Sequence, residues 1–434
     1  MNKLPTILVA LGTLFLHRTI FGSLLAFHRS EAALFGGRQL RQLSVVFLLA
    51  VVLTGCTGRD IIGTAKGWTP VAVSEGVLYV ASVDGAVLAI GTKALDNYDS
   101  SGPTWVYRPV DGLGSVFGPP AIGQDLVYVG GSIDDGNKGR LVALRKDPSG
   151  ESGGISPGTR VWGRDLPGAI IGGPALAPGI VLVGSEDGNL YAFRDDVAKE
   201  GETQELWTFP TEGLRQDKDK EKRIWSTPVV SDGVVYFGAL DGYLYAVSLE
   251  QGLNSRERLL WKFKTGGAIV TTPLVHDNKV FFGSFDRKFY ALDANDGGTL
   301  LWSFKADSWF WAGPVTDGRL VFAPSTDGKI YALDIQHGQD DLPNWSLDLS
   351  DDITSTPFLD GDILVVASEE GKIYRINIPE MRVDKTPLEI GKEVRVPLRG
   401  DGSNRVYFGD RDGRVHSIDA KDWGNRSEPY STKN

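Results

Sequence analysis

The sequence predicts an all-β protein, an eight-bladed β-propeller of four-stranded antiparallel blades. Three observations predict it. One phrase recurs: "IWSTPVVSDGVVYFGALDGYLYAVS" (224–248) is followed by "IVTTPLVHDNKVFFGSFDRKFYALD" (269–293). A proline opens each copy, at Pro70, Pro120, Pro174, Pro228, Pro273, Pro314, Pro357 and Pro397, with spacings between 40 and 54 residues. The apolar runs within a copy are short, rich in Val, Ile, Tyr and Phe, and bounded by turn residues, and no helical periodicity competes with them. A repeat of this period means a stack or ring of small units, each unable to bury its apolar faces alone.

The elements of a unit follow in order. The first strand comes directly after the proline. The second reads "VLYVAS" from Val77, "LVYVGG" from Leu126, "IVLVGS" from Ile180, "VVYFGA" from Val234, "VFFGS" from Val280, "LVFAPS" from Leu320, "ILVVAS" from Ile363 and "VYFGD" from Val406. The third reads "AVLAI", "RLVAL", "NLYAF", "YLYAV", "KFYAL", "KIYAL", "KIYRI" and "RVHSI". A fourth strand is marked by Trp105, Trp162, Trp207, Trp261, Trp302 and Trp345, and "TPLEIG" (386–391) is a degenerate copy. These runs are nearly continuous in apolar residues, as a sheet covered on both faces requires. The tryptophans are expected to pack between blades. The eighth unit has no obvious fourth strand. Either 59–65 or 427–433 completes it, and the N-terminal segment is favoured because joining the chain ends in one blade would lock the ring.

The pattern of Trp, Pro, Val-Tyr-x-Gly, Asp-Gly and Leu-Tyr-Ala-Leu-Asp resembles the pyrroloquinoline-quinone (PQQ)-type propeller repeat and covers 67–422. In layout, a lipidated cysteine followed by eight such blades resembles the propeller lipoprotein of the outer-membrane β-barrel assembly machinery. The resemblance specifies fold and says little of function. PQQ-dependent alcohol dehydrogenases share the repeat. That family carries a vicinal cysteine pair, a calcium ion and an aspartate base, and the resemblance therefore raises a quinone-dependent oxidoreductase as one alternative. Cys56 is the only cysteine, so the pair cannot form. No insertion is large enough for a quinone pocket, the histidines are dispersed, and no Gly-x-Ser-x-Gly, His-Glu-x-x-His or phosphate-binding loop is present. No catalytic residue, metal site or cofactor, PQQ included, is expected.

Cys56 has a different setting. Arg38 and Arg41 precede the apolar run 44–53, and Leu53, Thr54 and Gly55 lead to the cysteine. A positive region, a short apolar run and small residues form a secretory signal too short to span a bilayer permanently. Leu-Thr-Gly-Cys resembles the lipobox of bacterial lipoproteins, which implies cleavage before Cys56 and lipid on its thiol. The expected organisation is a removed leader (1–55), a lipidated tether and possible closing strand (56–66), the propeller (67–422) and a tail (423–434). The product is exported and lipid-anchored on the extracytoplasmic face, at the cell surface or in the periplasm.

Composition narrows the partners. The chain has 434 residues, 10% aromatics and a formal charge of −10. No cationic stripe is visible, which excludes nucleic acid as the main partner. The one dense charge run, 215–223, mixes signs. Acidic residues Asp84, Asp187, Asp241, Asp286, Asp327, Glu370 and Asp412 stand between second and third strands, where Asp before Gly favours a tight turn. They read as structural; a cation-binding ring is the sharper alternative. Asp286 is followed by Arg287, so that turn is expected to differ. Trp68, Phe117, Trp225, Trp309, Phe310 and Trp311 precede first strands and belong at the channel mouth, on the same face as the acidic turns. They read either as blade-packing wedges or as a rim that captures a protein or peptide, with 308–313 the foremost candidate. The charged insertion 212–223 is expected to flank that rim. The reading is a monomeric, lipid-anchored scaffold that binds an envelope protein or peptide, with envelope or outer-membrane protein assembly as the expected setting. A sensor for a small molecule or glycan is the remaining alternative.

Overall fold

The computed structural model describes residues 67–96, 103–108, 112–146, 158–195, 203–210, 222–337 and 343–432. The leader, Cys56, the tether 56–66 and residues 212–221 of the charged insertion lie outside them. Short apolar runs joined by tight turns satisfy their backbone groups by pairing with the next run. Eight such units form eight antiparallel sheets in sequence order. They are blades 1 (71–107), 2 (121–166), 3 (175–210), 4 (229–264), 5 (274–305), 6 (315–348), 7 (358–389) and 8 (399–431). First strands touch between blades 1 and 2, 3 and 4, 4 and 5, and 6 and 7, and blade 1 also meets blade 8, which closes the ring. The core is divided accordingly. Among the described residues there are eight apolar clusters, one in each blade–blade interface.

Blade 5 shows how the sequence sets the sheet. Its strands are Leu274–His276, Lys279–Gly283, Lys288–Asp293 and Leu300–Lys305. Phe281, Ala291 and Trp302 lie in one cross-strand row. The small alanine lets the indole reach over it to the phenyl ring, with ring centroids 5.9 Å apart. Rows Tyr79–Ala89–Trp105, Tyr128–Ala143–Trp162, Tyr236–Ala246–Trp261 and Phe322–Ala332–Trp345 repeat the arrangement. In blade 3 the row has Leu182 in place of the aromatic. There the Trp207 ring is covered instead by the buried Arg258 guanidinium, 4.0 Å from its centroid. Arg258 is held by the carbonyls of Ser248 (2.6 Å), Glu250 (2.8 Å) and Leu253 (3.3 Å).

Blade 7 has no tryptophan, and Arg375 stands where the alanine would be. Its fourth strand is split into Arg382–Val383 and Leu388–Glu389, the second piece being the degenerate copy. Arg375 pairs with Asp384 in the space the indole occupies elsewhere.

Two expectations are corrected. The fourth strand of blade 8 comes from the tail, not from the N-terminal segment. Tyr430–Ser431 pairs with Arg414 and Val415, and Thr432 N–H and Oγ1 donate to Gly413 O at 2.9 and 2.8 Å. The tail therefore belongs to the propeller instead of following it at 422. A hairpin from the adjacent strand closes a short loop, whereas a strand from the other terminus would have to close the whole ring. The turn at Asp286 also keeps the common geometry. Arg287 takes φ +72°, beside +87° and +82° at Gly188 and Gly328 in the same position.

Candidate functional site

One face of the ring gathers two sets of loops. In blades 3 to 8 the residue before the turn carboxylate donates its N–H to the loop that enters the same blade. The bonds are Glu186 to Ala169 (2.9 Å), Leu240 to Arg223 (2.9 Å), Phe285 to Ala268 (2.9 Å), Thr326 to Trp309 (2.9 Å), Glu369 to Asp352 (2.8 Å) and Arg411 to Glu393 (3.0 Å). These clips make a rigid frame on which the side chains at that position vary freely.

The turn carboxylates serve the frame. Asp187, Asp241, Asp286 and Asp327 each accept from a tyrosine hydroxyl four residues on: Tyr191 (2.5 Å), Tyr245 (2.6 Å), Tyr290 (2.6 Å) and Tyr331 (2.7 Å). Each also accepts the backbone N–H two residues ahead, at 2.9 to 3.1 Å. Burial, and then the carboxylate, push these four phenols above their ordinary range. Burial likewise raises Asp241. Asp84 accepts from Ser82. Glu370 turns out to Lys372 at 3.2 Å, and Tyr374 donates instead to Leu349 O at 3.0 Å. Asp412 pairs with Lys392 at 2.9 Å, while the buried Asp410 takes the inward role with His416 at 2.9 Å. The carboxylates do not converge. Among the described residues, no group of three or more His, Cys, Asp or Glu is placed to hold a metal ion.

The six aromatics part company. Phe117 is buried and meets the half-buried Trp68 edge-on at 5.5 Å, away from the others. Burial alternates along 309–311, with Phe310 enclosed and its two neighbours not. Phe310 turns inward, fully buried against Phe289 and Tyr331, and is a wedge between blades 5 and 6. Trp309 and Trp311 turn to the face. Both stack on Phe285, with centroids 5.0 and 5.6 Å away, and Trp311 approaches Trp225 at 6.5 Å. Trp225 is itself buried, its Nε1–H donating to Glu186 at 2.8 Å. Trp309 is 39% exposed. Its backbone cannot drift, because its N–H donates to Thr326 Oγ1 (3.1 Å) and its carbonyl accepts from Thr326. Of the charged insertion, Arg223 lies 5.7 Å from the Trp225 ring.

Beside this ladder opens a cleft of about 260 Å³ lined by Ser308, Trp309, Trp311, Thr326, Asp352, Thr354, Glu369 and Arg395. Its floor is ionic. Arg395 pairs with Glu369 and lies 3.6 Å from Glu393, which also holds Arg411 at 2.7 Å. Burial raises the Glu369 carboxyl; Arg395 opposes that, and Glu393 and Asp352 add to it. Sequence reasoning reached Trp309 and Trp311 but missed Phe285, Glu369 and Arg395. A signal exists: the residue before the turn acid runs Val83, Glu186, Leu240, Phe285, Thr326, Glu369, Arg411 on an otherwise constant turn.

Fold and repeat together define a PQQ-type propeller of eight blades. The family model described as outer membrane protein assembly factor BamB matches residues 196–427, more than half of the chain, and the chain belongs to that family. Among solved structures it is similar to BamB from Moraxella catarrhalis, with 18% identity, 80% of this chain and 95% of that one covered, and a TM-score of 0.61. It is also similar to the computationally designed Ika8 protein (17% identity, 81% and 96% covered, TM-score 0.59). A third similar structure is Saccharomyces cerevisiae Sqt1 (12%, 85% and 95%, TM-score 0.59). At these identities the structural likeness is one of fold. Comparison with curated proteins finds no match.

Proposed function

We propose that this chain is a lipid-anchored, extracytoplasmic scaffold without enzymatic activity, binding a protein partner during outer-membrane protein assembly, and that the partner docks on the rim at 308–313. The observation that carries the reading is Trp309. A large aromatic held rigidly in the open, over a stacked ring and beside a cleft, costs little ordering entropy on binding, which is how interaction hot spots work. Membership of a family described as an outer-membrane assembly factor supports the setting. The lipobox-like sequence ending at Cys56 supports the anchor.

The test is crosslinking on cells with a photoreactive residue at Ser308. An envelope protein should be captured by the parent, and capture should fall at least about tenfold with Trp309→Ala plus Trp311→Ala. Undiminished capture would refute the rim. Independently, Cys56→Ser should move the protein from the membrane to the soluble fraction.

A further inference from the structure

Each first strand ends its sheet, and its free edge lines the central channel that the ring encloses. The cross-strand register aligns one position on all eight. The residue paired with the third position of the second strand is Ala72 in blade 1, Val229 in blade 4, Leu274 in blade 5 and Phe358 in blade 7. It is apolar in every blade but the eighth, where it is Arg399, paired with Tyr407. Gly400, the next residue, faces blade 7: a Cβ there would lie 2.2 Å from the Phe358 ring. Successive side chains take opposite sides of a strand, so Arg399 faces the seam with blade 1. The first strand of blade 1, Val71–Ser74, offers no charge to meet it. Asp401 accepts instead from Tyr407 (3.0 Å) and Ser403 (2.6 Å). Among the described residues nothing accepts a hydrogen bond from the Arg399 guanidinium or pairs with its charge. The side chain is half-buried, yet none of its nitrogens is sealed from solvent. Burial holds its pKa below the ordinary guanidinium range, and no neighbouring charge among the described residues counters that.

We propose that Arg399 anchors an oxyanion site in the channel, which takes a small free phosphate or carboxylate. A cation drawn out of water is costly unless it is paired. An arginine kept where seven blades keep apolar residues therefore calls for a counter-charge. Its planar fork matches two oxygens of a carboxylate or phosphate, a match that chloride cannot make. The free first-strand edges add backbone N–H groups to the channel wall. An acidic side chain could supply the same chemistry only if a partner threaded it into the channel, whereas a free ion needs only to diffuse there. The site shares no residue with the rim at 308–313, so it goes beyond the scaffold reading and is tested apart from it.

The experiment uses the full chain labelled with nitrogen-15 in arginine and follows the Nε–H signals by NMR. The Arg399 signal is assigned by its loss in Arg399→Leu, a side chain the fold already accepts at this register in blade 5. Arg399→Lys gives the same assignment should the leucine variant not fold. The probes are sodium phosphate, sodium acetate, the peptide acetyl-Gly-Glu-Gly-amide, and sodium chloride at matched ionic strength. Phosphate or acetate should move the Arg399 signal saturably while the other arginine signals stay, and chloride should not. Whichever of the two half-saturates at the lower concentration names the oxyanion. That ion should also raise the thermal midpoint of the parent. Phosphate stabilises folded proteins in general by exclusion from their surface, and Arg399→Leu measures that background. The rise above background should be at least about threefold smaller in Arg399→Lys, which keeps the charge and loses the fork. An Arg399 signal that stays still, follows chloride equally or moves without saturating would overturn the proposal. So would equal midpoint rises in the parent and Arg399→Leu. A response to the glutamate peptide alone would overturn it too, in favour of a partner's acidic side chain.

Discussion

Tyr290 donates to Asp286 across a turn that carries an arginine where its counterparts carry glycine. Asp286 accepts from Tyr290, from Lys288 N–H and from Gly266 N–H at 2.8 Å. The turn is thereby over-determined, and Arg287 is held at positive φ despite its Cβ. Arg287→Gly should relieve about 0.5–1 kcal/mol of strain, offset in part by a looser unfolded chain, and raise the thermal midpoint slightly. Tyr290→Phe should cost about 1 kcal/mol by removing one of three donors, visible as a lower urea midpoint at unchanged slope. The same latches set an alkaline limit. Tyr191, Tyr245, Tyr290 and Tyr331 hold their protons in the fold beyond the usual phenol value near 10. Below that pH both folded and unfolded forms are protonated and the full contribution is present. Above it the unfolded chain gives up the protons first, so stability falls as pH rises. A phenolate absorbance titration should show these four silent until unfolding. The Asp-Gly turns were legible in sequence because turn chemistry is local. Their tyrosine partners were not, since a strand tyrosine is equally explained by β-propensity.

Strands and loops divide the aromatic residues into two kinds that composition cannot separate. The outer-strand tryptophans were legible, because each recurs at one place in the repeat and faces a fixed alanine. That row is tight: Ala291 is fully buried between Phe281 and Trp302, so Ala291→Leu should overpack the sheet at about 1–3 kcal/mol or more. Within 309–311, by contrast, three adjacent aromatics look alike in the sequence. Which of them points inward depends on the clip between Trp309 and Thr326, a contact 17 residues apart that no local pattern records. The difference is measurable. Phe310→Ala should leave a cavity and cost about 3–5 kcal/mol in urea unfolding. Trp309→Ala should change stability by less than about 1 kcal/mol, because the ring is open to solvent on one side and stacked on the other. A large loss from Trp309→Ala would mean that the rim is packing after all.

At the scale of the ring, each blade is a continuous piece of chain, and among the described residues none exchanges a strand with another. The seam between blades 8 and 1 is therefore held by side chains and a few bonds. Val71, Leu78, Val80, Leu88 and Ile90 pack on Tyr407 and Val415, with Tyr430 against them. The buried Thr69 hydroxyl donates to Asp410 O at 2.9 Å. Sequence reasoning expected the two chain ends to join in one blade and so lock the ring. It underestimated the interface, which buries as continuous an apolar row as several others. The tail matters for a different reason: Tyr430–Ser431 covers the open edge of Arg414–Asp419 and supplies Tyr430 to the seam. Deleting 427–434 would remove the half-buried Tyr430 from the seam, the paired backbone and the Thr432 bonds together. We expect a loss of about 3–5 kcal/mol, read as a lower urea midpoint, and an aggregation-prone exposed strand. If the deletion variant unfolded at the parent midpoint, the seam would have to be closed by some other segment of the chain.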